Sequence, residues 1–231
     1  MDFINTIGKK MNYQDKYFIL YIYMKTLIPL GHHCNITELH SQLGIKKETG
    51  VFEWLEGWKL QYITNVINAL INNPDENIFR GKNNKINLLH EGFFTRHYKF
   101  EEYKIIFKRR YERFLKIIKS TEDILFVRIN PINRNNTTVD EINLFVESIK
   151  KINSDLKINF LLIDTVDKVT NFKPLNMDTI IFHHKYFIHS DCITGDYLQD
   201  NPIISEIYQK MLIDVGYIND EVFYRIWTDR S

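Results

Sequence analysis

The chain has 231 residues, 44% hydrophobic and 26% charged, with 30 Lys and Arg against 29 Asp and Glu, a formal net charge of +1. That apolar content suits one globular domain over residues 1–231, and the charge balance gives no global sign of a nucleic-acid or anionic-membrane partner. Its two cysteines, Cys34 and Cys192, lie far apart in sequence, which excludes a disulfide framework and leads us to expect a reducing, cytoplasmic setting.

Residues 1–15 read as an N-terminal arm. The apolar run Tyr17 to Met24 is too short for a membrane span, is interrupted by Lys25 and lacks a signal-peptide cleavage site, so we expect a helix or strand packed on the core. Leu27 to Gly31 is a second short apolar run. It turns through His32 and His33 and delivers Cys34 to a helix. Asn35 suits its N-cap with Glu38 three residues on, Ile36, Leu39 and Leu43 share one face, and Gly44 supplies the stop. Free amides at a helix start favour a thiolate over a thiol, which makes Cys34 a candidate nucleophile. The competing reading is a small apolar residue buried after a strand.

From Glu56 to Asn72, apolar residues at Trp58, Tyr62, Val66, Ala69 and Leu70 predict a helix closed by Asn73 and Pro74. Asp75 to Lys85 is polar and Asn-rich, a predicted loop. Ile86 to Leu89 then reads as a short extended run leading to His90, Glu91 and Gly92, with His97 seven residues beyond His90. A histidine beside a carboxylate at the end of such a run suits a general base, and either imidazole would serve. Residues 99–119 carry the longest helical signal. Tyr103, Ile106, Phe107, Tyr111, Phe114, Ile117 and Ile118 form its buried stripe, and Lys104, Lys108, Arg109, Arg113, Lys116 and Lys119 lie mostly outside it. This local basic excess is the best case for a nucleic acid or other polyanion; a solvated helix face explains it equally and more commonly.

Asp123 to Ile129, Ile158 to Asp164 and Thr179 to His183 are nearly continuous apolar runs, as in strands buried on both faces. Between the first two, Thr138 and Glu141 form a capping box for a helix whose Ile142, Phe145, Ile149 and Ile152 face inward. Asn201-Pro202 opens another helix ended by Gly216, and a last short one carries Val222 and Trp227. Strands alternating with helices predict an α/β fold, a Rossmann-like three-layer sandwich with a mostly parallel sheet. Ligands of such sheets bind beyond the carboxyl ends of the strands, where Gly31 to Cys34, Arg128 to Asn130 and Asp164 all fall.

The motifs Leu-Gly-His-His-Cys-Asn (30–35) and Val-Phe-Glu-Trp (51–54), then Leu-His-Glu (89–91), the Tyr103-to-Phe114 helix and Leu125 to Arg128, occur in the order of a known pattern. Over roughly the first 130 residues the chain resembles a family described as papain-like cysteine peptidases. That pattern has Ser where Pro29 stands, Pro at Val51, and Asp at Glu53 and Glu91; both acidic exchanges keep the charge and lengthen the side chain. The resemblance implies Cys34 as nucleophile and His90, rather than His97, as its base. The strand pattern decides the architecture, so the family name bears on chemistry only.

Acyl-transfer chemistry then assigns the remaining roles. Cys34 attacks a carbonyl, His90 takes and returns the proton, Glu91 or Asp164 orients the imidazole, and amides near His33 to Asn35 stabilise the oxyanion. Arg128, with Asn130 beside it, would hold a carboxylate or phosphate of the substrate, or else pair with Glu53 or Asp164. The substrate would be a peptide or other acyl compound, with no cofactor. Two other readings stand beside this one. His32, His33, His183, His184, His189, Asp191 and Cys192 offer zinc-type ligands without a familiar zinc spacing. The domain would otherwise be a non-catalytic binding or structural module.

Overall fold

The computed structural model describes residues 26–31, 35–46, 48–53, 56–57, 59–76, 78–82, 85–88, 93–94, 98–130, 137–164, 179–185 and 202–217. The predicted elements at Tyr17 to Met24 and around Val222 and Trp227 lie outside them. The architecture is α/β, with an open, all-parallel sheet of four strands: β1 (Thr26–Pro29), β6 (Asp123–Asn130), β7 (Lys157–Asp164) and β8 (Thr179–Lys185), adjacent in that order. Helix α1 (Asn35–Gln42) follows β1, and α4 (Val139–Lys150) connects β6 to β7. Between them run β2 (Glu56–Gly57), α2 (Leu60–Asn72), β3 (Phe79–Lys82), β4 (Lys85–Leu88), β5 (Phe93–Phe94) and α3 (Phe100–Ser120); α5 (Pro202–Asp214) follows β8.

The continuous apolar runs of β6 and β7 have a direct structural reason. Successive strand residues point to opposite faces, and both faces are covered. Ile124 and Phe126 of β6 and Ile158, Phe160 and Leu162 of β7 join one core with α2, α3 and α4. Leu125 and Val127, with Leu161 and Ile163, join a second core with α1, α5 and Tyr217. In the first, Phe145 of α4 stands edge-on to Phe126 at 4.9 Å and to Phe160 at 6.1 Å between centroids, the geometry in which ring quadrupoles attract.

Helix ends follow their residues. The capping box at α4 forms as predicted: Thr138 Oγ1 accepts the Glu141 amide at 3.2 Å, and Glu141 accepts the Thr138 amide at 3.1 Å. Gly44 after α1 has φ 68° and Gly216 after α5 has φ 67°, a left-handed conformation costly to any residue with a Cβ. Each closes a Schellman pair, Ile45 N–H to His40 O with Gly44 N–H to Ser41 O, and Tyr217 N–H to Leu212 O with Gly216 N–H to Ile213 O.

Two predicted elements differ. Glu56 and Gly57 are not helical but pair antiparallel with Phe94 and Phe93, so α2 begins only at Leu60; glycine is a poor helix residue and the extended pairing takes precedence. The stretch expected as a loop, Asp75 to Lys85, contains β3, which pairs antiparallel with β4. Among the described residues no helix is long and apolar enough to cross a membrane. We expect Thr138→Ala to lower stability by about 1 kcal/mol, read as a shift in urea midpoint at unchanged slope, because one first-turn amide loses its acceptor.

Candidate active site

The carboxyl edge of the sheet gathers the termini of all four strands. Asn130, Asp164 and Lys185 are register partners at the last positions of β6, β7 and β8. Pro29 ends β1 opposite Val127, and the chain continues one residue further in the ladder, with Leu30 N–H donating to Val127 O at 2.8 Å. Leu30 and Gly31 are buried there. Helix α1 opens at Asn35, one residue earlier than the N-cap reading of Asn35 predicted. Its first amides have no partner within the helix, the condition for anion stabilisation. His33, Cys34, His90 and Glu91 lie outside the described residues, as do His32, His97, Trp54, His189, Asp191 and Cys192. His90 follows β4, which belongs to the β3–β4 ribbon and not to the parallel sheet.

Arg128 holds this edge together. It sits on β6 in the same alternation as Ile124 and Phe126, and its exposure is 0%. Its Nη1 donates to Leu30 O at 3.2 Å and Gly31 O at 3.3 Å, and its Nε donates to Thr137 Oγ1 at 2.9 Å. A buried guanidinium is costly unless its donors are satisfied; here they tie the end of β1 to the start of α4. Burial pushes the group down to about 10, and the negative charge of Glu141 pulls the other way, so Arg128 stays charged at neutral pH. We expected this side chain to hold a substrate anion or to pair with Glu53 or Asp164. Nε and Nη1 address the protein's own hydroxyl and carbonyls, Glu53 pairs with Lys46 at 3.2 Å while accepting the Gly50 amide, and the Asp164 side chain lies outside the described residues.

The segment matching Val-Phe-Glu is a buried turn rather than a site wall. Phe52 is fully buried with its ring edge-on to Phe114, and Arg113 of α3 holds the irregular segment before it through Glu48 at 3.1 Å and Thr49 O at 2.9 Å. Arg113 is therefore committed within the protein, whereas Lys108 and Arg109 on the same helix are exposed. On the opposite face of the sheet, His40 of α1 lies 2.6 Å through Nε2 from the Tyr208 hydroxyl of α5, with the rings stacked at 5.7 Å. Burial, helped by the charge of Lys46, lowers His40 to about 3, so it is neutral throughout the physiological range and serves as a structural pin for the helix that follows Cys34. The sequence reading passed over this histidine; its position in the last turn of an amphipathic helix, beside Leu39, was the available signal.

No family model, curated protein or solved structure matches this chain.

Arg128→Met should lower stability by roughly 2 kcal/mol or more, since carbonyls and a hydroxyl lose charged donors, and Arg128→Lys should not restore it, because an ammonium cannot present two directed nitrogens. Thr137→Val tests the other end at about 1 kcal/mol; urea denaturation reads all three. For His40 the pH dependence has a definite sign. The unfolded imidazole protonates near 6.5 and the folded one only near 3, so stability from this residue is complete above pH 6.5 and is lost as pH falls from 6.5 to 3. In His40→Gln, stability measured across that window should fall less steeply than in wild type.

Proposed function

We propose that the chain is a cysteine-nucleophile hydrolase or acyltransferase, carried on a Rossmann-like three-layer sandwich and acting on a peptide or other acyl compound inside the cell. The observation behind this reading is the β1–α1 connection: a parallel strand ends at the sheet's carboxyl edge, its last carbonyls are gripped by a buried arginine, and a helix opens at the residue after Cys34. Nucleophiles in α/β enzymes favour such strand-to-helix turns because the helix's first amides stabilise negative charge. The resemblance to papain-like cysteine peptidases adds the pairing of Cys34 with His90.

In this proposal the Cys34 thiolate attacks the substrate carbonyl. His90 accepts the proton on activation and returns it to the leaving group, with Glu91 or Asp164 orienting the imidazole. Amides of His33 to Asn35 receive the developing oxyanion. Arg128 acts as a positioning residue, through the turn it holds, and Asn130 at the neighbouring strand end supplies a polar contact to substrate. No cofactor is required for these steps.

The deciding experiment is alkylation of the full chain by iodoacetamide from pH 5 to 10, followed residue by residue by mass spectrometry with Cys192 as internal control. Cys34 should react with an apparent pKa well below the ordinary value of about 8.5, and His90→Ala should raise it. An inert Cys34, or one that titrates as a free thiol with or without His90, rejects the nucleophile and leaves a binding module.

A further inference from the structure

The buried stripe of α3 contains one residue that does not belong in an apolar core. Arg110 is 6% exposed, follows Tyr103 by seven positions and so lies on the same helical face, and packs with Tyr98 and Tyr103 against the first core. Its Nη2 donates to the Tyr98 hydroxyl at 2.9 Å, and its guanidinium carbon stands 5.4 Å from the Tyr98 ring centre. The Tyr98 and Tyr103 rings stack at 5.7 Å, which makes the three side chains one continuous group.

Beyond the Tyr98 hydroxyl this group is short of acceptors: among the described residues, Arg110 Nε and Nη1 and the Tyr103 hydroxyl are buried without a hydrogen-bond partner. Every described carboxylate in an ion pair is engaged elsewhere: Glu53 with Lys46, Glu101 with Lys104, Glu48 with Arg113. Burial holds the Tyr103 hydroxyl protonated, against the pull of the Arg110 charge, so it too has a proton to give. An excess of buried donors around an uncompensated positive charge is costly to a fold, and the matching group is one that brings negative charge and several lone pairs.

We propose that Arg110 and Tyr103, steadied by Tyr98, form a binding site for a small oxyanion, a phosphate or carboxylate group. The guanidinium supplies the charge and directed N–H donors, and the Tyr103 hydroxyl supplies a further one. Arg110 faces the core from α3 and touches none of the residues assigned to the cysteine chemistry among those described, so the site stands or falls independently of that reading.

Thermal unfolding of the full chain in rising phosphate, and separately in acetate, with chloride holding ionic strength constant, tests it. Wild type should gain stability along a saturable curve in at least one of the two; the response to phosphate or to acetate tells a phosphoryl from a carboxylate ligand. Tyr103→Phe keeps the ring and removes only the hydroxyl, and should weaken the midpoint about tenfold. Arg110→Gln should abolish the response. Should Arg110→Gln fail to fold, Tyr103→Phe decides. A wild type that responds to neither anion more than to chloride overturns the site, and so does a Tyr103→Phe curve that overlays the wild type.

Discussion

The geometry of the candidate site depends on one buried cation. Arg128 is enclosed completely, yet the residues that precede it on that face of the strand are Ile124 and Phe126. A charge in that position needs acceptors, and among the described residues Leu30, Gly31 and Thr137 present oxygens to it. The interaction also serves the backbone: the carbonyls of Leu30 and Gly31 lie just past the last β1 residues paired with β6 and receive donors from Arg128 there.

The two cores divide the labour of holding that connection. On the face of α2, α3 and α4, Arg128 holds the Leu30 and Gly31 carbonyls. On the other face, α1 is seated by Ile36, Leu39 and Leu43 against Leu125, Val127 and Leu161, and pinned to α5 by His40 and Tyr208. The end of β1 is thus held by charge-assisted bonds to Leu30 and Gly31, and α1 by packing and by the His40–Tyr208 contact. The neutrality of His40 matters here: a protonated imidazole in the second core would oppose the packing that seats the helix.

How much of this could be read from residues alone varies with the range of the interaction. The parallel strands were legible because a strand buried on both faces is apolar without alternation, as Ile124–Val127 and Phe160–Ile163 are. Capping at Thr138 and the glycine stop at Gly44 were legible because both are settled within six residues. Failures came where a distant partner overrides local preference. Glu56 and Gly57 become extended because Phe93 and Phe94 are there to pair with them, and Phe79–Lys82 becomes a strand in a polar stretch because Lys85–Leu88 folds back on it. His32 to Cys34 lie outside the described residues, while the strand before Cys34 and the helix after it were legible. The partners of Arg128 were not, because main-chain carbonyls leave no mark in a sequence.

Arg110 and Arg128 show why a buried arginine cannot be assigned a role from burial alone. Both lie on faces that build the first core, and both are flanked by apolar residues three or four positions or two positions away, as helix and strand demand. Arg128 meets carbonyls because it sits at a strand end, where the backbone has acceptors to spare. Arg110 sits in the middle of a helix of 21 residues, whose own carbonyls are consumed by the i to i−4 ladder, and its neighbours are rings and hydroxyls. A mid-helix cation in such surroundings cannot be satisfied by local backbone. Among the described residues no further acceptor reaches it, and that shortfall distinguishes a residue that braces the fold from one suited to a ligand.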